Sequence, residues 1–198
     1  MQRIGLDRWK RIIFIALPIV IIAVLVGLDQ LTKYLFKNLY LEKGRTIVID
    51  GFFYFTYTVN TGAAWSFLAD VSWGQTFFKI LTSVSLVIFT AFIVYAIKKD
   101  LKWLTYSLAL VIGGTIGNFI DRLIFSSVTD FISFQFGNYY FPVFNLADSF
   151  LVVGVIMLIV YFLFFDDNAL FKKKNAEKED DKPEGTDVDN GKENISNN

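Results

Sequence analysis

Four stretches of this chain carry no charged residue at all: 12–28, 80–97, 103–120 and 149–165, each 17 or 18 residues long. At a rise of about 1.5 Å per residue such a stretch covers roughly 27 Å, close to the hydrocarbon core of a bilayer at about 30 Å, and flanking residues supply the remainder. The buried helices of a soluble protein would carry polar stripes of helical period, whereas these segments are apolar all round. Composition agrees, since 54% of the residues are hydrophobic and only 19% charged, outside the usual range of soluble domains. Four transmembrane helices follow. With their ends included, the spans are expected at about residues 12–28, 77–97, 103–123 and 146–165.

The first span is preceded by Arg3, Arg8, Lys10 and Arg11, as the apolar core of a signal peptide would be. It is followed by Asp29-Gln30-Leu31-Thr32-Lys33 and not by a small-residue cleavage site, so it is expected to stay as an anchor. Lys and Arg at the span ends set orientation. Lys98, Lys99 and Lys102 lie in the short second connection, and Lys172, Lys173 and Lys174 follow the last span. Both termini are therefore expected in the cytoplasm.

The long first connection is then external. In it, Ile47-Val48-Ile49 and the run 52–59 are rich in β-branched and aromatic residues, with the two-residue hairpin signal Asp50-Gly51 between them. The expected fold class is an all-α membrane protein, with four transmembrane helices and a small extracytoplasmic β-sheet over about residues 43–70. One domain spans residues 1–165. Residues 166–198 are polar and charged, a composition that cannot bury a core and is expected to be a disordered cytoplasmic tail.

The chain has no cysteine and no histidine. Disulfides, thiol nucleophiles, Ser-His-Asp triads and the commonest zinc and haem ligands are removed together, so no metal or cofactor is expected. No nucleic-acid footprint is visible either. Chemistry falls to carboxylates, hydroxyls, lysines and arginines. Asp29, Asp121 and Asp148 mark the outer ends of spans one, three and four, and Asp130 lies in the outer loop between spans three and four. That loop carries Phe131, Phe134, Phe136, Tyr139, Tyr140, Phe141 and Phe144, and is expected to lie on the bilayer surface.

Asp29 with Lys33 four residues on, and Asp121 beside Arg122, fit plain structural pairing. Asn145-Leu146-Ala147-Asp148 reads as a helix start, with Asn145 as N-cap and Asp148 at the third position, where the helix dipole favours negative charge. Asp130 has no basic neighbour in sequence and an aromatic setting that disfavours its charge. Two acids pushed in opposite directions suit acid-base hydrolysis. Spacing alone leaves helix capping, or a transporter or assembly factor whose external acids bind ions or a partner, as alternatives.

Taken together the motifs resemble those of the lipoprotein signal peptidases, or signal peptidase II, over about residues 12–165. They occur in family order: Asp29-Gln30-Leu31-Thr32-Lys33, Asn60-Thr61-Gly62-Ala63-Ala64-Trp65-Ser66, Gly113-Gly114-Thr115-Ile116-Gly117-Asn118-Phe119-Ile120-Asp121-Arg122, Val128-Thr129-Asp130-Phe131 and Phe144-Asn145-Leu146-Ala147-Asp148. Trp65 stands where Phe is more familiar, and the tail beyond Phe165 is an extension. The resemblance implies an aspartic endopeptidase of the bacterial inner membrane that cuts prolipoproteins just before a cysteine carrying a diacylglyceryl group. It implies Asp130 and Asp148 as the catalytic dyad, and Asp29, Lys33, Asn60, Gly62, Gly114, Asn118, Asp121, Arg122, Asn145 and Ala147 as support for the site or substrate. Membrane lipids and globomycin-type cyclic peptide inhibitors are the further partners expected, and the expected state is a monomer.

Such a dyad needs neither histidine nor metal. One ionised carboxylate takes a proton from water while the other, protonated, donates to the peptide carbonyl. Like charges about 4 Å apart repel by roughly 4 kcal/mol at an effective dielectric of 20, enough to hold one proton on the pair. Presenilin-like proteases would require a Gly-x-Gly-Asp signature and rhomboids a histidine, both of which are absent.

Overall fold

The computed structural model describes residues 2–40, 44–62 and 71–165. The expected tail of residues 166–198, residues 63–70 of the expected β region, and Trp65 with them, lie outside the described residues. The compact unit of helices and sheet ends at Tyr161, and of the second unit only residues 162–165 are described.

In chain order the elements are helix α1 (Gln2–Tyr40), strands β1 (Thr46–Ile49) and β2 (Phe53–Asn60), helices α2 (Gly74–Lys98) and α3 (Lys102–Phe125), strands β3 (Val128–Phe136) and β4 (Tyr139–Tyr140), and helix α4 (Leu146–Val160). A π-helical turn, Tyr161–Phe165, follows. Four segments are long and apolar enough to cross a membrane: Asp7–Leu39, Gly74–Lys98, Lys102–Phe125 and Leu146–Phe165. Helix α1 runs beyond the expected end of the first span. Asp29 and Lys33 do not end α1 but sit inside it, buried against α3 and α4, where partners from those helices satisfy their charge.

Helix α3 is the hub, packing against each of the other three. Half of its membrane window is buried, against 11% to 17% for the others. The difference fits a bundle whose outer faces meet lipid; Ile80, Val87 and Val152 are among the large apolar side chains left exposed. Ile93 and Ala96 of α2 meet Leu104, Leu108, Ala109 and Ile112 of α3, with Tyr161, in the apolar core.

Above the helices lies an antiparallel sheet in the order β1-β2-β3-β4. The Asp50-Gly51 turn joins β1 to β2 as expected, with Gly51 at φ +70°, a conformation side chains resist. Strand β3 corrects the expected surface loop. Val128, Asp130, Phe131 and Ser133 are buried while β3 pairs along β2, bringing Asp130 opposite Thr58. Phe131 stacks on Phe36 of α1 with ring centres 4.2 Å apart, which seats the sheet on the bundle.

Candidate active site

Helix α4 starts with a capping box. The Asn145 side chain accepts the Asp148 backbone N–H at 3.0 Å, and the Asp148 carboxylate accepts the Asn145 N–H at 3.0 Å. Its next free amide, Ala147 N–H, donates to Asp29 of α1 at 3.0 Å. A carboxylate from a helix distant in sequence thus occupies one of the donor positions that an α-helix leaves open at its start.

Close approach makes this possible. A Cβ on Gly114 would collide with the Ala147 carbonyl, and one on Gly117 would lie 2.6 Å from an Asp29 carboxylate oxygen. Both positions of α3 therefore require glycine for α4 and Asp29 to sit where they do.

Lys33 neutralises this layer. Its ammonium lies 2.8 Å from Asp29 and 3.4 Å from Asp121, and donates to Asn118 Oδ1 at 2.9 Å. Gln30 closes the same cluster, donating to Asp121 and to the Gly117 carbonyl, each at 3.0 Å. Asp121 also accepts the backbone N–H of Thr129 at 3.0 Å, which fixes the strand one residue before Asp130. The expected Asp29–Lys33 pair is thus present. Asp121 turns to Lys33 and Gln30, while Arg122 beside it points the other way, to the Gly62 carbonyl at 3.4 Å and the ring of Phe78.

Asp130 and Asp148 are held differently. Asn60 donates to Asp130 Oδ2 at 2.9 Å, with its own amide oriented by the Gly62 N–H, and Asn145 donates to Asp130 Oδ1 at 2.7 Å. Asn118 donates to Asp148 Oδ1 at 2.7 Å. Neither carboxylate has a lysine or arginine within ion-pair distance among the described residues. Burial first, and the facing charge of Asp148 second, raise the Asp130 carboxyl from 3.8 to about 7, against the two asparagine donors.

Both acids, with Asn60, Asn118 and Arg122, line a cavity of about 690 Å³. Its other wall is apolar, built from Phe141 to Phe144 and from Leu151, Val152 and Val153 of α4. Among the described residues the Arg122 Nε–H is buried without a hydrogen-bond partner.

The predicted site residues therefore fall into two layers. Asp130, Asp148, Asn60, Asn118 and Arg122 face the cavity; Asn145 bridges behind it; Asp29, Lys33, Asp121, Gly114 and Ala147 lie deeper, and Gly62 orients Asn60. Gln30 and Thr115 stand within the motifs but carried no expected role of their own, and nothing in the sequence marks Thr82 as a cavity residue. Among the described residues, no group of three or more potential metal ligands is present.

Four apolar helices around a carboxylate pair in one cavity are the architecture of a multi-pass membrane aspartic peptidase. The family model described as signal peptidase (SPase) II matches residues 7–164. Proteins named lipoprotein signal peptidase are similar along most of their length. That of Bacillus pumilus is 48% identical over 73% of this chain and 90% of its own, and that of Listeria monocytogenes 45% identical over 72% and 89%. Two solved structures, both described as bacterial membrane enzymes, superpose with TM-scores of 0.64 and 0.66. They share 32% and 36% identity, over 87% and 77% of this chain and 95% and 96% of theirs. The chain belongs to the signal peptidase II family. It is a bacterial multi-pass membrane peptidase that removes signal peptides from prolipoproteins.

Proposed function

We propose that Asp130 and Asp148 are the catalytic pair of this peptidase. Asp130 is the protonated member and Asp148 the ionised one. Asp148 takes a proton from a water that attacks the scissile carbonyl carbon, while Asp130 donates its proton to the carbonyl oxygen. Collapse of the resulting gem-diol breaks the C–N bond, passes the proton held by Asp148 to the leaving amine and returns one hydroxyl proton to Asp130, which leaves a carboxylic acid and restores both acids to their starting states. The observation that carries this reading is the raised carboxyl of Asp130, at about 7 and opposite Asp148 in one cavity. It puts an acid that still holds its proton near neutral pH beside a carboxylate that accepts two N–H donors.

Arg122 and Asn60, which both line the cavity, hold the peptide backbone. The apolar wall at Leu151, Val152 and Val153 takes the diacylglyceryl chains of the substrate cysteine. Globomycin-type cyclic peptides compete for the same cavity, membrane lipids border it, and one copy suffices for turnover. Both termini lie in the cytoplasm of the bacterial inner membrane and the site opens on the extracytoplasmic face. This is supported by Lys98, Lys99 and Lys102 between spans two and three.

Cleavage of a lipid-modified prolipoprotein by purified variants tests the assignment. Asp130→Asn and Asp148→Asn should each lose at least about a thousandfold in kcat while keeping the wild-type elution profile, and the double variant should be scarcely slower. A reporter inserted after Lys99 that reads external would overturn the orientation.

A further inference from the structure

Lys33 is not among the cavity residues, yet it touches one that is. Asn118 Oδ1 accepts from Lys33 Nζ at 2.9 Å and from Asn145 Nδ2 at 3.0 Å, and Asn118 Nδ2 donates to Asp148 at 2.7 Å. An amide has one accepting and one donating end. Turned over, Asn118 would set its N–H groups against the Lys33 ammonium and its oxygen against the Asp148 carboxylate.

Of the two groups that prevent this, Asn145 is the weaker. Its two N–H groups are divided among Asp130 at 2.7 Å, Asn118 at 3.0 Å and the Thr129 carbonyl at 3.3 Å. Lys33 supplies a charge-assisted bond, which is about twice as strong as a neutral one and polarises the amide toward its far acceptor. Asp29 and Asp121 hold the ammonium in place, and Gln30 holds Asp121.

We infer that Lys33 is a positioning residue for the reaction: acting through Asn118, it locks the amide so that an N–H always meets Asp148 and the charge of the pair stays there. The inference rests on the assignment of Asp130 and Asp148 above. It goes beyond charge balance, because a lysine that merely neutralised Asp29 and Asp121 could be removed together with one of them at no cost to turnover.

Two double variants separate these roles, each leaving the buried cluster with its wild-type net charge. Lys33→Gln/Asp29→Asn retains a donor for Asn118 and hydrogen-bonding groups at both positions, and it is expected to fold. Lys33→Met/Asp29→Asn removes the donor. With purified enzyme and a lipid-modified prolipoprotein, the Gln variant should keep kcat within a few-fold of wild type. The Met variant should lose about tenfold or more in kcat with KM unchanged, because Lys33 is outside the cavity. Equal kcat in the two variants, or a folded Gln variant as slow as Asp148→Asn, would overturn the inference. Asp130→Asn and Asp148→Asn are run alongside. If those cleave, the catalytic assignment itself has failed; if they are inactive while the Met variant turns over like wild type, only the role of Lys33 has.

Discussion

The molecule holds two pairs of aspartates, only a few side chains apart, and treats them oppositely. Asp29 and Asp121 share the ammonium of Lys33 and each also accepts a backbone N–H, from Ala147 and Thr129. Asp130 and Asp148 have side-chain amides as partners and face one cavity. A carboxylate held by a buried cation and a backbone N–H serves as a fixed joint between elements. One with only neutral donors, opposite another acid, is left able to exchange a proton. The partner, and not the residue type or its depth, separates structure from chemistry here.

Removal of one acid from each pair sharpens that contrast most. Asp130→Asn should abolish cleavage with thermal stability near that of wild type. Asp29→Ala takes the nearer of two carboxylates from Lys33, leaving it with Asp121, and strands the Ala147 N–H; it should destabilise by about 1–3 kcal/mol, read as a lowered melting temperature and poor yield. Equal loss of stability in both would break the comparison.

Next in size is Gly114→Ala, whose methyl group would collide with the Ala147 carbonyl and press on Leu151. The start of α4 must move, carrying Asp148 with it, and a displacement of about 1 Å costs on the order of a hundredfold in rate. Cleavage assays on the folded variant check this. Asp121→Asn should be milder. Its one carbonyl oxygen can still accept from Thr129 or from Gln30, which Asp121 binds on separate oxygens, and Lys33 keeps Asp29, so kcat should fall by about tenfold or less and turnover should persist. A dead Asp121→Asn beside an active Asp130→Asn would mean that the two pairs have been assigned the wrong way round.

Much of this was legible in the sequence. The four spans follow from the uncharged stretches, the hairpin from Asp50-Gly51, and the start of α4 from Asn145 with Asp148 three residues on. The proposed catalytic pair came from ordered motifs, supported by the aromatic setting of Asp130. What stayed hidden depends on partners far along the chain. Asp29 and Lys33 read as the end of a span because nothing local shows that Asn118, Asp121 and Ala147 receive them. Strand β3 read as a surface loop because Phe residues on both of its faces blur the alternation that marks a strand. The partner of Asp121 was misjudged for a related reason: Arg122 is adjacent in sequence, but successive helical residues point in different directions.

The smallest predicted effect is on pH dependence. A carboxyl raised from 3.8 to about 7 in the folded enzyme is protonated below that value and loses its proton as pH rises through it. Cleavage, which needs that proton, should therefore decline above about pH 7. The folded state also binds this proton more tightly than the unfolded chain does, so its contribution to stability is full below the ordinary carboxylate value and is lost as pH climbs toward about 7.

The central claim is that Asp130 carries a proton near neutrality, and infrared spectroscopy of the detergent-solubilised enzyme observes that proton directly. Difference spectra across a pH titration should show the carbonyl stretch of a protonated carboxylic acid disappearing around pH 7 in the wild type. The same band should be missing from Asp130→Asn and still present in Asp121→Asn. A band that persists unchanged in Asp130→Asn, or a wild-type enzyme with no carboxyl titrating near neutral pH, would contradict the account.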